Sequence, residues 1–235
     1  MSKKKKIVVL TGAGISAESG LKTFRDAGGL WEGFDVMEVA SIDGWRRNRE
    51  LVLDFYNMRR KQALEAKPNP GHFALADLEK DFEVVIVTQN VDKLHEMAGS
   101  TNIIHLHGQL FQSRSSLDEN LIYEMDGWEL KLGDKCERGS QLRPNIVWFG
   151  EMVPLIEDAA REVMSADIFM VVGTSLAVYP AASLLHYTSD HAPKFVIDPS
   201  LPNLPKLPHF YLYEELASTG VAKAAEKSEQ SFCST

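Results

Sequence analysis

The chain has 235 residues, 44% hydrophobic and 25% charged, with a formal net charge of −8. That length and apolar content can fill a core, so disorder is excluded as the default, and no apolar run nears the roughly 18 residues of a membrane span. The acidic balance argues against a broad nucleic-acid surface and mildly favours cationic partners, while two distant cysteines, Cys136 and Cys233, give no disulfide framework and fit a reducing cytoplasm.

In chain order, residues 1–6 form a basic stretch read as a solvated tail, because the apolar run 7–10 after it is too short for a signal segment. Stretches 7–10, 84–88, 103–106, 146–149, 168–172 and 195–197 are short and β-rich, mostly apolar without alternation, as strands covered on both faces are. Helix-like runs lie between several of them, at 49–66, at 71–80 after the break Pro68-Asn69-Pro70, and at 155–164. The alternation predicts an α/β fold, a Rossmann-like doubly wound parallel sheet. Segment 109–144 is polar, Gly-dotted and weakly periodic, so it is expected as a small inserted lobe, with 1–108 and 145–235 forming the main domain. From Lys223 onward the chain is expected to fray.

Directly after the first strand, Gly12-Ala13-Gly14-Ile15-Ser16-Ala17 satisfies G-x-G-x-x-A, the pattern by which such folds bring a pyrophosphate to a helix start. Gly12 suits a tight turn, Gly14 a close backbone approach, and the N–H groups of the next turn are expected to face an anion. A dehydrogenase would continue to a second strand ending in an acidic residue about twenty positions on. Here an irregular, glycine-rich stretch follows instead, with Phe24, Arg25, Asp26 and Trp31, suited to a lid over a ligand.

The residues after the strands are polar: Gln89, Asn90, Val91 and Asp92; His105 and His107; Gly173, Thr174 and Ser175; Asp198, Pro199 and Ser200. Ligands of open parallel sheets bind at those ends, although Asp and Thr there also serve as helix caps. His107, before a glycine, is a candidate general base; His105, two residues earlier on the same strand face, reads better as a structural histidine. In the run 49–66, Tyr56 and Arg59 lie three apart on one helix face, a hydroxyl and a planar fork able to read a carboxylate, or else a packed ring and a solvated cation.

Six motifs in order and spacing resemble the sirtuins: Gly12 through Gly20, Thr23-Phe24-Arg25, Thr88 through Asp92, Leu106-His107-Gly108, Val147-Trp148-Phe149-Gly150-Glu151 and Gly173-Thr174-Ser175. The resemblance implies NAD as cofactor and removal of acyl groups from lysines of proteins or peptides, with nicotinamide displaced and the acyl group passed to ADP-ribose. It implies that His107 is the base, and that Asn90 and Asp92 hold the ribose and the nicotinamide amide. It also places Gly12, Ala13, Gly14, Ile15, Ala17, Glu18, Thr23, Phe24, Arg25, Asp26, Trp31, Gln89 and Val91 at the cofactor. Gly173, Thr174, Ser175, Asp198, Pro199, Ser200 and Ala222 correspond to positions near the adenosine half, with Asp198 standing where relatives commonly carry Asn. Val147, Trp148, Phe149, Gly150 and Glu151 are expected to lend backbone groups to a substrate peptide lying as an added strand between the lobes. Tyr56, Arg59 and a small Ala27 resemble the branch that removes succinyl and malonyl groups. Sirtuins commonly hold a structural zinc with four cysteines; this chain keeps Cys136 alone in that lobe, with Ser113, Ser115 and Ser116 where the first pair is expected, so zinc is not expected. An NAD hydrolase or ADP-ribosyl transferase on the same scaffold, and a non-catalytic NAD-binding module, stand as alternatives. The oligomeric state is not legible.

Overall fold

Strand Lys6–Thr11 places Ile7, Val8, Val9 and Leu10 at 0% exposure, a continuous apolar run that only a strand covered on both faces can bury. In this computed structural model, which describes residues 4–22, 30–31, 33–201 and 209–232, that strand is central in a sheet of six. The parallel order is Phe210–Tyr213, Lys194–Ile197, Ile168–Val172, Lys6–Thr11, Glu83–Thr88, Ile103–His105. The expected α/β architecture is therefore present, with one strand, Phe210–Tyr213, that the apolar pattern did not announce. Its exposed Leu212 and half-buried tyrosines are those of an edge.

One face of the sheet packs on helices Pro70–Asp77 and Ala217–Phe232, joining Ile7, Val9, Ile86, Ile168, Met170, Phe195 and Ile197 to Leu75, Val221 and Ala224. Each of the larger side chains among these stabilises the fold by about 1.5–3 kcal/mol. The second helix corrects the expectation of fraying from Lys223: Ala224 and Ser228 are wholly buried, so packing of one face holds a polar sequence helical. The basic stretch is also less solvated than expected, since Lys4 Nζ donates to the carbonyls of Glu79 at 2.9 Å and Lys80 at 2.7 Å, and Lys6 pairs with Glu83 at 3.6 Å and with Glu162.

The chain divides into two compact units, and the division differs from the expected one. The first comprises Met1–Gly20, Lys67–Leu106 and Pro154–Thr235; the second comprises Leu21–Ala66 and His107–Val153. Residues 21–66 join the second unit because helix Arg49–Glu65 docks on it: Asn57 Oδ1 accepts from the Leu130 N–H at 2.9 Å, and Arg60 donates to the carbonyls of Trp128 at 2.6 Å and Leu110 at 3.2 Å. The helix starts at Asn48, whose side chain accepts from the Leu51 N–H. The polar segment forms a three-stranded antiparallel sheet in the order Ile122–Glu124, Gly108–Ser115, Leu142–Ile146. This corrects the strand expected at 146–149, which ends at Ile146 and belongs to the small sheet.

Candidate functional site

In the first unit, the glycines of the first loop answer to backbone packing. The Gly12 N–H donates to the Val172 carbonyl at 3.0 Å, and the Gly14 N–H to that of Gly173 at 2.8 Å. A Cβ on Gly14 would lie 2.7 Å from Gly173 Cα, and one on Gly173, whose φ is +64°, would lie 2.3 Å from the Ile15 nitrogen. Two main chains thus touch where no side chain fits. The Ile15 N–H, in the turn expected to face an anion, donates to the Gly12 carbonyl at 3.2 Å, so that amide already has a partner, as do those of Gly12 and Gly14.

Behind that loop lies a network of short polar side chains. Thr11 Oγ1 donates to Thr88 Oγ1 at 2.8 Å and meets His95 Nε2 at 3.0 Å. Asn90 is held on three sides: its N–H donates to Thr88 Oγ1 at 3.0 Å, its Nδ2 donates to the Gly12 carbonyl at 3.0 Å and to Ser16 Oγ at 3.1 Å, and its carbonyl faces His105 Nδ1 at 3.1 Å. Ser16 Oγ donates to Asp92 Oδ2 at 3.0 Å, and the Leu94 N–H donates to Asp92 Oδ1 at 3.1 Å. Burial pushes the Asp92 carboxyl up, against the pull of those two hydrogen bonds. Gln89 Nε2 donates to Thr174 Oγ1 at 3.1 Å, tying the two strand ends together.

The remaining first-unit residues divide. Asp198 is 1% exposed and Oδ1 accepts from the Ser200 N–H at 2.8 Å, a turn with Pro199 and Ser200 outward. Ala13 and Val91 are half-buried, while Ala17, Ser175 and Ala222 are exposed. Glu18 holds the start of helix Ala217–Phe232, accepting from the Ser218 N–H at 3.1 Å and from its hydroxyl. Thr23, Phe24, Arg25, Asp26 and Ala27 lie outside the described residues.

Sequence reasoning missed Asn69. Its Oδ1 caps helix Pro70–Asp77, while its Nδ2 donates to the Ile15 carbonyl at 2.7 Å and Ser19 Oγ at 2.9 Å, fixing the first loop from behind. The flanking prolines gave only a turn signal. It passed over Ser16 as well, although Ser16 stands inside the quoted motif.

In the second unit, His107 is half-buried in the turn before strand Gly108–Ser115, and its carbonyl accepts from the Val147 N–H at 3.0 Å. Gly108, at φ +82°, is required there, because a Cβ would lie 2.0 Å from the Asn145 carbonyl oxygen. The amides at 147–149 have partners within the unit: that of Trp148 donates to Glu151 Oε2 at 2.8 Å and that of Phe149 to the Ala40 carbonyl at 2.9 Å. The carbonyls of Trp148 and Phe149 also accept, from the N–H groups of Glu151 at 3.0 Å and Ile42 at 3.3 Å, so much of the main chain expected to meet a peptide is engaged within the unit. Glu151 is the anchor of that turn, gripped by Arg143 Nη1 at 2.6 Å and Nη2 at 2.9 Å, with Arg114 at 3.2 Å.

Tyr56 and Arg59 are 1% and 7% exposed, which overturns the reading of a solvated arginine. The Tyr56 hydroxyl accepts from Trp148 Nε1 at 2.9 Å, and burial pushes its pKa well above the usual range. Phe55 packs edge-on against Tyr56 and Trp31, and the Arg59 guanidinium lies 4.7 Å over the Trp31 ring. Where the resemblance places zinc, Ser115 Oγ and Ser140 Oγ lie 2.6 Å apart and Cys136 Sγ lies 3.1 Å from Ser140 Oγ. Among the described residues no group of three or more His, Cys, Asp or Glu is placed to hold a metal.

Comparisons with known proteins agree with this arrangement. The chain is 57% identical over 201 residues, 85% of each chain, to an NAD-dependent protein deacylase of Helicobacter pylori strain J99. It is 58% identical over 200 residues to an NAD-dependent protein deacylase of Bacteroides thetaiotaomicron, covering 83% of this chain and 86% of that one. A solved Sir2 homolog–NAD complex superposes with a TM-score of 0.86 at 37% identity, over 97% of this chain and 91% of that one. The family model described as Sir2 family matches residues 12–180, from the first glycine of the loop past the Gly173 turn that it touches, and the chain belongs to that family, the sirtuins.

Proposed function

We propose that this chain is an NAD-dependent protein-lysine deacylase in which His107 is the general base. The observation that carries the reading is Asn90: main-chain N–H, main-chain carbonyl and Nδ2 all have protein partners, while no donor among the described residues reaches Oδ1. A carboxamide oxygen so fixed beside a buried carboxylate and Gln89 supplies acceptors that fit a ribose hydroxyl and the N–H groups of a nicotinamide amide. When bound there, NAD supplies a ribose carbon that accepts the acyl oxygen as nicotinamide departs. Gln89, Asn90 and Asp92 would hold that end and Gly173, Thr174 and Asp198 the adenosine end. His107, its main chain pinned by Val147 and its turn permitted by Gly108, would take a proton from a ribose hydroxyl onto its ring. Relatives carrying the name NAD-dependent protein deacylase support this reading.

The acyl group that fits best is acidic. An indole N–H only donates, so the Tyr56 oxygen accepts from Trp148 and its own proton is left to donate; among the described residues no oxygen receives it. Burial keeps that proton on the phenol, and the buried Arg59 draws on the same oxygen electrostatically. A succinyl or malonyl carboxylate would accept from both. Peptides bearing acetyl, succinyl and malonyl lysine test this: Tyr56→Phe and Arg59→Met should lower kcat/KM for succinyl and malonyl at least about tenfold more than for acetyl. Equal losses on all three would remove the carboxylate reading.

A further inference from the structure

His105 reads from sequence as a structural histidine, and both of its nitrogens meet acceptors. Nδ1 lies 3.1 Å from the Asn90 carbonyl oxygen and Nε2 lies 2.7 Å from Glu96 Oε1, with the residue 8% exposed. A carbonyl oxygen has no proton to give. A neutral imidazole has one N–H, so it would leave a lone pair facing one of the two oxygens. The titratable groups around the ring are few: Glu96 and His95 on helix Leu94–Ala98, with burial keeping His95 neutral, and Asp92 in the turn before it, while the strand partner Thr88 does not titrate. Burial opposes the charge of Glu96, but the hydrogen bond with His105 holds that carboxyl below its usual range, so Glu96 is an acceptor facing Nε2.

We infer that His105, anchored by Glu96, is a positioning residue that holds the Asn90 main chain so that Oδ1 stays placed for the proposed cofactor contact. The inference rests on the proposed role of Asn90. Its chain of action is short: Glu96 fixes Nε2, the ring hands its Nδ1–H to the Asn90 carbonyl, and Asn90 then bonds Gly12 and Ser16, with Ser16 on Asp92. No bond is made or broken at His105 during the reaction.

Two isosteres separate this role from packing. His105→Asn keeps a donor at the Nδ1 position and loses Glu96; His105→Gln keeps the Glu96 bond and loses Asn90. Each deletes one hydrogen bond, so melting temperatures should fall alike. The expected result is an NAD KM, or an NAD dissociation constant by calorimetry, within about threefold of the parent for Asn and raised about tenfold or more for Gln, with the peptide KM unmoved. Equal effects of the two, or a larger effect of Asn, would overturn the inference. A nitrogen-resolved NMR spectrum of the parent supplies a readout independent of turnover: the His105 Nδ1 should carry the proton that is donated to the Asn90 carbonyl, and a bare Nδ1 would overturn the inference. Absence of NAD cleavage in the parent would strike at the proposed function and leave the NMR and calorimetric outcomes to decide on His105.

Discussion

The two units hold their functional residues by different means. In the first, threonines, Ser16, Asn90 and Asp92 stand at the ends of parallel strands and bond one another over 2.8–3.1 Å, on a frame of touching glycines. In the second, one wholly buried arginine ties helix Arg49–Glu65 to the small lobe, and a serine–cysteine cluster stands where the resemblance would place a metal. Arg60 bonds Trp128, Leu110 and Asn57, at 2.6, 3.2 and 2.6 Å, and burial pulls its guanidinium down to about 10, still charged at neutral pH. The difference teaches that a binding end can be organised by strand topology, whereas the second unit adds a few hydrogen-bonded buried polar groups to the packing of residues such as Leu53, Phe55 and Trp148.

The largest effect is expected at Arg60. Arg60→Met removes the arginine donor from the Trp128 and Leu110 carbonyls and leaves Asn57 Oδ1 with the Leu130 N–H alone, and at about 1–3 kcal/mol for each carbonyl the second unit should lose about 2 kcal/mol or more in urea denaturation; a loss below about 1 kcal/mol would remove Arg60 from its central role. Acid should strike the first unit next. Burial lowers His72 from 6.5 to about 4 and His95 from 6.5 to about 3, and their rings lie 4.9 Å apart. Below pH 6.5 the unfolded chain binds protons that the folded one refuses, so stability falls as pH falls toward 4. At pH 5 the loss is about 2 kcal/mol per ring, and His72→Leu should flatten the slope. A stability that stays level from pH 7 to 5 would contradict it.

Gly14→Ala should cost about 1–3 kcal/mol, because the clash with Gly173 is backbone on backbone and neither can yield; calorimetric NAD binding should weaken with it. The smallest effect is at Ser115, which accepts from the amides of Leu117 and Asp118 and meets Ser140. Ser115→Ala should lower stability by about 1 kcal/mol without changing the ratio of succinyl to acetyl turnover. A changed ratio would join the cluster to the acyl end.

The sequence was most legible where structure is local. Unbroken apolar runs marked five of the six strands, and the helix 49–65 was visible from its amphipathic pattern and its stop before Pro68. The edge strand Phe210–Tyr213 was not, because half-exposed tyrosines give no apolar run. Among candidate residues, those just after strands were found because the fold puts ligands there. Asn69 and Arg60 were missed since their partners lie 54 and 50 to 68 residues away, and nothing in a window of sequence reports such a bond. The glycines were found for a reason that proved incomplete: Gly12 and Gly14 make room first for Gly173 and Thr174.

The most direct measurement counts two products from one reaction. With NAD and an acylated peptide, the parent chain should release nicotinamide and deacylated peptide one for one. His107→Ala, melting at the parent temperature, should lose deacylated peptide by about a hundredfold or more. Nicotinamide release that proceeds without peptide, or a His107→Ala variant that still deacylates, would contradict the assignment of this chain as a deacylase with His107 as its base.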